Sequence, residues 1–190
     1  IVLIVVASAL ALGWTAARRL CLPERLGILT AVGTAICGVS AVVSTAPVID
    51  ASDEEVSYAV ANITLFGLLA MFVYPFVAEA LFAGHSLMAG LWLGTAVHDT
   101  AQATGAGLMY DAQFPGSSPT VGEVTIVTKL VRNALLAAVV PVVSVIYRRR
   151  AGARTSGERA SLSVVRYLPL FVLGFLLMAV LRTVGDASLE

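Results

Sequence analysis

The chain has 190 residues, of which 58% are hydrophobic and 13% are charged, and its formal net charge is zero. Soluble globular domains average about 25% charged residues, so this composition excludes an ordinary soluble domain and indicates a polytopic membrane protein. There is no basic stripe with interleaved aromatic residues, so we expect no nucleic-acid partner. Cys21 and Cys37 lie at no metal-ligand spacing, and we expect both to be small core residues rather than a metal site or a disulfide.

The N-terminal apolar run does not resemble a cleaved signal peptide. Ile1–Trp14 has no basic region before it, and Arg18 and Arg19 follow it. We expect residues 1–190 to be a single transmembrane transporter domain that is incomplete at the N-terminus and at the C-terminus.

Six apolar runs approach the length of about 20 residues that a spanning helix needs. The sequence therefore predicts an all-α membrane protein, a polytopic bundle with about six spans and interrupted helices: Ile1–Ala17, Leu26–Ile49, Val56–Ala78, Leu87–Tyr110, Val121–Tyr147 and Tyr167–Leu181. Ser52 and Glu55 have the spacing of a capping box at the start of the third span. Gly90 and Gly94 in the fourth span predict close helix packing.

Two arginine-bearing loops predict the orientation. Six crossings place Arg18–Arg25 and Arg148–Arg166 on the same side, and the positive-inside rule makes that side cytoplasmic. By this count the second and fourth spans run in the same direction, so they are not a simple antiparallel crossing pair. Either the repeat partner of the second span lies outside this chain, or one predicted span is re-entrant.

The stretch Gly94–Gly107 contains the most polar chemistry at a depth where lipid is expected. His98, Asp99 and Gln102 follow an apolar run directly, and ionisable groups in membranes usually serve transport. A helix break near His98, with Asp99 or Thr100 capping a second helix, would place the three side chains around one cavity. The alternative is a structural, hydrogen-bonded pair of His98 and Asp99.

A second interruption is predicted in the second span, over Gly33–Ile49. Two glycines, several small hydroxyl residues and Pro47 suit a helix that unwinds inside the membrane and restarts. The restarting helix would direct free N–H groups at an anion. The candidate ligands here are Gly38, Ser40, Ser44 and Thr45. The alternative is that small residues only allow helices to pack closely.

Lys129 and Arg132 share one face of the fifth span because they are three residues apart. They would neutralise Asp99 inside the bundle or bind the anion directly. The alternative is that both side chains extend to the membrane interface.

Four ordered blocks carry a resemblance to a known family. They are Ile-Cys-Gly-Val-Ser-Ala-Val-Val-Ser-Thr-Ala-Pro-Val-Ile at Ile36–Ile49, Leu-Phe-Gly-Leu-Leu-Ala-Met-Phe-Val-Tyr-Pro at Leu65–Pro75, Gly-Thr-Ala-Val-His-Asp-Thr-Ala-Gln at Gly94–Gln102, and Thr-Lys-Leu-Val-Arg at Thr128–Arg132. In these blocks the chain resembles the YeiH/UPF0324 family, bacterial inner-membrane proteins that carry a provisional sulfate-exporter label. The resemblance implies a multi-pass secondary anion transporter in a bacterial cell membrane, with inverted repeats and broken helices.

Three functions follow as hypotheses. The first is a transporter that exports a small oxyanion, such as sulfate or a sulfonate, with a proton or cation as coupling ion. The second is a cation/proton antiporter in which Asp99 binds the cation, and the third is a non-transporting membrane interaction subunit. No P-loop, nucleophile elbow, HExxH or CxxC motif occurs, so we expect no enzyme and no cofactor. The expected partners are a small anion, the bilayer and a second copy of the chain.

Overall fold

A computed structural model describes residues 1–116 and 119–152. This part of the chain contains helices and no strand, which confirms the all-α prediction. A short 3-10 turn at Ala46–Val48 follows the third helix. The helices are α1 (Val2–Arg19), α2 (Glu24–Ala35), α3 (Val39–Thr45), α4 (Asp53–Phe82), α5 (Ser86–Ala96), α6 (Thr100–Gln113), α7 (Val121–Ala134) and α8 (Leu136–Gly152).

The chain divides into two units, Ile1–Leu135 and Leu136–Glu190. The first unit contains α1 to α7. The described part of the second unit is α8, an apolar helix with Pro141 inside it. Because α8 ends at Gly152, its last turn extends into the stretch predicted as the loop Arg148–Arg166. The sixth predicted span, Tyr167–Leu181, lies outside the described residues.

Three segments in the described ranges are long and apolar enough to cross a membrane. They are Val2–Arg19, Asp53–Phe82 and Val121–Tyr147, which correspond to the first, third and fifth predicted spans. Val39–Val48 and Ser86–Ala96 are apolar but shorter. The six-span count is therefore not confirmed.

Both predicted helix breaks are present. The second predicted span is divided at Ile36–Gly38, between α2 and α3, and the fourth is divided at Val97–Asp99, between α5 and α6. Gly38 has φ +69°, a conformation that favours glycine because it has no Cβ. A Cβ on Gly33 would lie 2.9 Å from Cγ2 of Val42, so α3 turns back beside the end of α2 and does not continue along its axis.

The contacts between α6 and α4 give the direction of α6. Near the start of α6, the Gln102 amide donates to the Thr64 carbonyl oxygen at 3.1 Å. Near its end, the Tyr110 hydroxyl donates to a carboxylate oxygen of Glu79. Residue numbers rise together on both helices, so α6 runs parallel to α4.

The contacts with α7 show that α5 and α6 run in opposite directions. Along α5, Gly90 packs on Val124 and Gly94 packs on Thr128, so α5 and α7 run in the same direction. Along α6 the order is opposite. Gly107 packs on Gly122 near the start of α7, whereas the Asn133 amide reaches Thr100 near its end.

Helices α5 and α6 therefore form a re-entrant hairpin whose tip is Val97–Asp99. At 1.5 Å per residue their lengths are about 16 and 21 Å, short of the roughly 30 Å hydrocarbon core. The expectation that Leu87–Tyr110 crosses the membrane once is corrected. The predicted orientation of Arg18–Arg25 and Arg148–Arg166 stays a prediction, because residues 153–166 lie outside the described residues.

Several local predictions are confirmed. The capping box is formed, because the Ser52 hydroxyl accepts from the Glu55 N–H and the Glu55 carboxylate accepts from the Ser52 N–H. Gly90 and Gly94 allow the close packing of α5 on α7. Cys37 is buried as expected, but Cys21 is exposed, so the prediction that Cys21 is a core residue was wrong.

Candidate functional site

The two helix breaks meet. A Cβ on Gly38 would lie 3.4 Å from the Asp99 Cα and 3.5 Å from its Cβ, so the backbones of the two breaks are in direct contact. We call the segments Ile36–Gly38 and Val97–Asp99 the two tips. We call the place where they meet, together with the α7 side chains that bind them, the tip junction.

Lys129 on α7 joins the two tips. Its side chain is fully buried, and its ammonium donates to the carbonyl oxygens of Ile36 at 3.3 Å and Val97 at 2.7 Å. A third hydrogen bond goes to the carbonyl oxygen of His98. All three ammonium donors are therefore bound to backbone, one on the first tip and two on the second.

Arg132 lies one helical turn further along α7 and joins the residues that precede each tip. It is 1% exposed. Its Nε donates to the Ala35 carbonyl at 2.8 Å, and its two terminal nitrogens donate to Thr34 and Thr95 carbonyls, each at 2.6 Å. The guanidinium thus spans the last turns of α2 and α5.

Helix ends explain why two cations are stable here. The last four carbonyls of a helix have no partner within that helix, and the C-terminus carries a partial negative charge. α2 and α5 both end at the tip junction, so two such ends lie together in the interior. Lys129 and Arg132 satisfy these carbonyls with charge-assisted hydrogen bonds, which offset part of the cost of burying two charges. The expectation that they extend to the membrane interface does not describe this arrangement.

Asp99 caps the second half of the hairpin. Its carboxylate Oδ1 accepts from the Ala101 N–H at 2.9 Å, which makes it the N-cap of α6, as the sequence indicated. The side chain is half-buried. The negative charge therefore lies at the positive end of α6, beside the tip that Lys129 holds.

Four buried polar atoms have no hydrogen-bond partner among the described residues. An unsatisfied buried polar group costs about 1–3 kcal/mol, so such atoms are unusual in a folded protein. One belongs to His98 in the second tip, one to Gln102 on α6, and a third to Asn133, which bonds to the first residue of α6. The atoms are Thr45 Oγ1, His98 Nδ1, Gln102 Oε1 and Asn133 Oδ1.

Not every predicted site residue lies at the tip junction. Gly38, His98, Asp99, Lys129 and Arg132 come together there. Other candidates lie along α3 or face α4. Ser40 is exposed, Ser44 is half-buried and Thr45 is buried, all on α3, while Gln102 is directed to the Thr64 carbonyl of α4.

Some functional groups were missing from the sequence-based set. Asn133 Nδ2 donates to the Thr100 hydroxyl at 3.1 Å and so ties α7 to the first residue of α6. The carbonyls that bind Lys129 and Arg132 are backbone groups, which no residue type reveals. The available signal was the pair of basic residues itself, because cations favour helix C-termini.

The base of the hairpin is fixed to α7 by contacts that do not involve Lys129 or Arg132. Both oxygens of the Asp111 carboxylate accept from the α7 N-terminus, Oδ1 from Val121 N–H and Oδ2 from Gly122 N–H, each at 2.9 Å. The Thr125 hydroxyl on α7 donates to the Val121 carbonyl at 2.7 Å and also lies 3.3 Å from the Gly90 carbonyl of α5. These bonds join α5, α6 and α7 at the end remote from the tip junction.

Comparison with known proteins gives the family. The family model described as "Conserved hypothetical protein 698" matches residues 1–188. A UPF0324 membrane protein of Bordetella bronchiseptica is 37% identical over 94% of this chain and 53% of its own length. A UPF0324 membrane protein of Streptococcus agalactiae is 32% identical over 97% of this chain and 52% of its own length.

A third relative, the UPF0324 membrane protein of Fusobacterium nucleatum, is 29% identical over the whole chain and 53% of its own length. The chain thus spans about half the length of these curated relatives. No solved structure matches it. With long apolar helices, interrupted segments and a family-model match over almost its whole length, the chain belongs to the UPF0324 family of bacterial membrane proteins.

Proposed function

We propose that the chain is part of a secondary transporter that exports a small oxyanion, such as sulfate or a sulfonate, across the bacterial cell membrane. The observation that supports this most is the burial of Lys129 and Arg132 at the junction of two helix breaks. Broken helices inside membranes commonly form substrate sites in secondary transporters.

The charges at the tip junction favour an anion. Lys129 and Arg132 carry two positive charges, and Asp99 carries one negative charge, so one positive charge is in excess when His98 is neutral. The C-termini of α2 and α5 offset part of this positive charge, and a bound anion would neutralise the remainder. Gly38 of the first tip would complete the site.

Arg132 is the group on which the anion would bind first. A guanidinium has five N–H donors, and three are used on carbonyls among the described residues. Planar N–H pairs suit the bidentate recognition of an oxyanion. The His98 imidazole, whose Nδ1 lacks a partner among the described residues, would supply a further hydrogen bond.

Flux through reconstituted vesicles tests the proposal. We would measure the transport of sulfate, sulfonates and other oxyanions by proteoliposomes containing the protein, its Arg132→Gln variant and its His98→Ala variant. At least one oxyanion should be transported, and Arg132→Gln should reduce its flux about tenfold or more because a charge-assisted hydrogen bond is lost. Arg19→Gln, which removes an exposed arginine at the end of α1, is the control and should transport normally. Normal flux in both site variants would exclude this site.

A cation/proton antiporter is the second candidate, because the half-buried Asp99 carboxylate lies at the same junction. Asp99→Asn separates the two functions. In an antiporter it should abolish proton-driven cation flux, whereas an oxyanion transporter should keep its oxyanion flux. If the native protein transports neither an oxyanion nor a cation, the non-transporting interaction subunit is favoured. We propose no catalytic reaction.

A further inference from the structure

The donors of Lys129 are fully used by backbone carbonyls, and those of Arg132 are partly used. An anion that contacts the Lys129 ammonium must displace at least one of the carbonyls of Ile36, Val97 and His98. The bond to Ile36 is the longest of these at 3.3 Å, beyond the usual 2.7–3.2 Å range of N–H···O hydrogen bonds, so it is the weakest. Displacement is therefore expected first at the α2 side of the tip junction.

The α5, α6 and α7 side is held by other contacts as well. Asp111 caps α7, Gly90 packs directly on Val124, and Gly94 packs directly on Thr128. None of these contacts involves the two cations. Losing a carbonyl bond to Lys129 would leave the hairpin attached to α7.

The α2 side is held to α7 differently. Its described hydrogen bonds to α7 are those of Lys129 with Ile36 and of Arg132 with Thr34 and Ala35. Gly38 also packs against Asp99 of the hairpin tip and against Ile63 of α4. An anion that takes a donor of Lys129 therefore removes a hydrogen bond between the first tip and α7.

We infer that the transported anion and the Ile36 carbonyl compete for the ammonium donors of Lys129, so that an anion that bridges Lys129 and the spare donors of Arg132 parts the first tip from the hairpin tip. This inference rests on the proposed function. It makes Lys129 and Arg132 both ligands of the anion and positioning residues of the two tips. It also gives a physical link between occupancy of the site and movement in the protein, because one set of donors serves both.

The native Cys37 reports this movement, since it lies in the first tip and is 4% exposed. A Cys21→Ser variant leaves it as the single cysteine of this chain. The test compares the rate of Cys37 labelling by a small maleimide with and without saturating sulfate, in protein reconstituted in vesicles. Parting of the tips should raise the rate about fivefold or more, through a shift in population. An unchanged or reduced rate, with the anion bound, would overturn the inference.

A reversible cross-link provides a second test that does not depend on thiol accessibility. The G38C/D99C variant, in a Cys21→Ser and Cys37→Ser background, places two Cβ atoms about 3.5 Å apart, within the disulfide range. Bound anion, detected by a rise in the unfolding temperature of the reduced variant, should slow the oxidation. Oxidation at the same rate with and without bound anion would refute parting of the tips.

The matched control is the Cys37→Ser variant, which leaves the exposed Cys21 as the single cysteine of this chain. Its labelling rate should not depend on the anion, because Cys21 lies in neither tip. Anion binding is followed separately by the anion-dependent rise in the unfolding temperature. If no oxyanion binds, the proposed function fails and the inference fails with it. If an oxyanion binds and labelling and cross-linking do not respond, the inference alone fails.

Discussion

Gly38 lies directly against Asp99, with only 3.4 Å between the Asp99 Cα and the place where a Gly38 Cβ would be. The same glycine has φ +69°, which L-residues with a side chain rarely adopt. One residue thus allows the chain to turn between α2 and α3 and lets the second break approach. The turn between α2 and α3 therefore favours a glycine at this position.

Gly38→Ala should lower the free energy of unfolding by about 1–2 kcal/mol, because alanine is strained in this backbone conformation and its Cβ would lie 3.2 Å from Cγ2 of Ile63. The measurement is thermal unfolding in detergent. Gly84→Ala is the control, since Gly84 also has a positive φ, +78°, but nothing lies within 4 Å of its added Cβ. If the two variants lose the same stability, the contact with Ile63 contributes nothing beyond backbone strain.

Gly67→Ala should destabilise the protein through Gln102. The added methyl would collide with the Gln102 side-chain oxygen and displace the amide from the Thr64 carbonyl, a loss of about 1 kcal/mol or more. In a Gln102→Ala background the collision disappears, and the better helix propensity of alanine should make the same substitution neutral or stabilising by up to about 1 kcal/mol.

A double-mutant cycle measures this coupling from the unfolding temperatures of the four proteins. Equal effects of Gly67→Ala in the two backgrounds would mean that Gln102 does not fix the hairpin to α4.

The sequence predicted the positions of the breaks because the signals are local. Gly33 and Gly38 interrupt an uncharged run, and Asp99 stands at the end of an apolar helix, where a capping residue is expected. It did not predict that α6 turns back. Hydropathy carries no direction, and a run such as Leu87–Tyr110 accommodates one spanning helix or two short antiparallel ones equally well.

The sequence likewise predicted only part of the candidate site. The residue types of Lys129 and Arg132 were visible, and their burial was one of the weighed alternatives. Their partners were not, because they are backbone carbonyls more than 30 residues away in sequence, from Thr34 to His98. Such partners become identifiable only when the ends of α2 and α5 are known to meet.

Asp111→Asn should weaken the start of α7. Both carboxylate oxygens accept backbone N–H groups, from Val121 and Gly122, and asparagine has only one acceptor oxygen and no charge to favour the helix N-terminus. We expect a loss of about 1–2 kcal/mol in the free energy of unfolding. Asp53→Asn, an exposed acidic residue in the first turn of α4, is the control and should cost clearly less. Similar losses in both would show that only the helix dipole matters.

Arg132→Lys keeps the positive charge and removes the planar fork, so it tests geometry apart from charge. The guanidinium reaches carbonyls on two helices, of Thr34 and Ala35 on α2 and of Thr95 on α5, and a single ammonium on a shorter side chain cannot reproduce these bonds. Buried carbonyls would lose partners, at a cost of about 2–4 kcal/mol in unfolding free energy.

Thermal unfolding and oxyanion flux should be measured on the same preparation of this variant. Arg19→Lys, at an exposed position at the end of α1, is the matched control and should leave both unchanged. If charge alone governs the tip junction, Arg132→Lys will resemble this control in stability and flux. If the fork is needed to hold the ends of α2 and α5 together, stability will fall even in the absence of any transported anion. Because this loss is measured without substrate, it bears on the structure of the junction independently of what the protein transports.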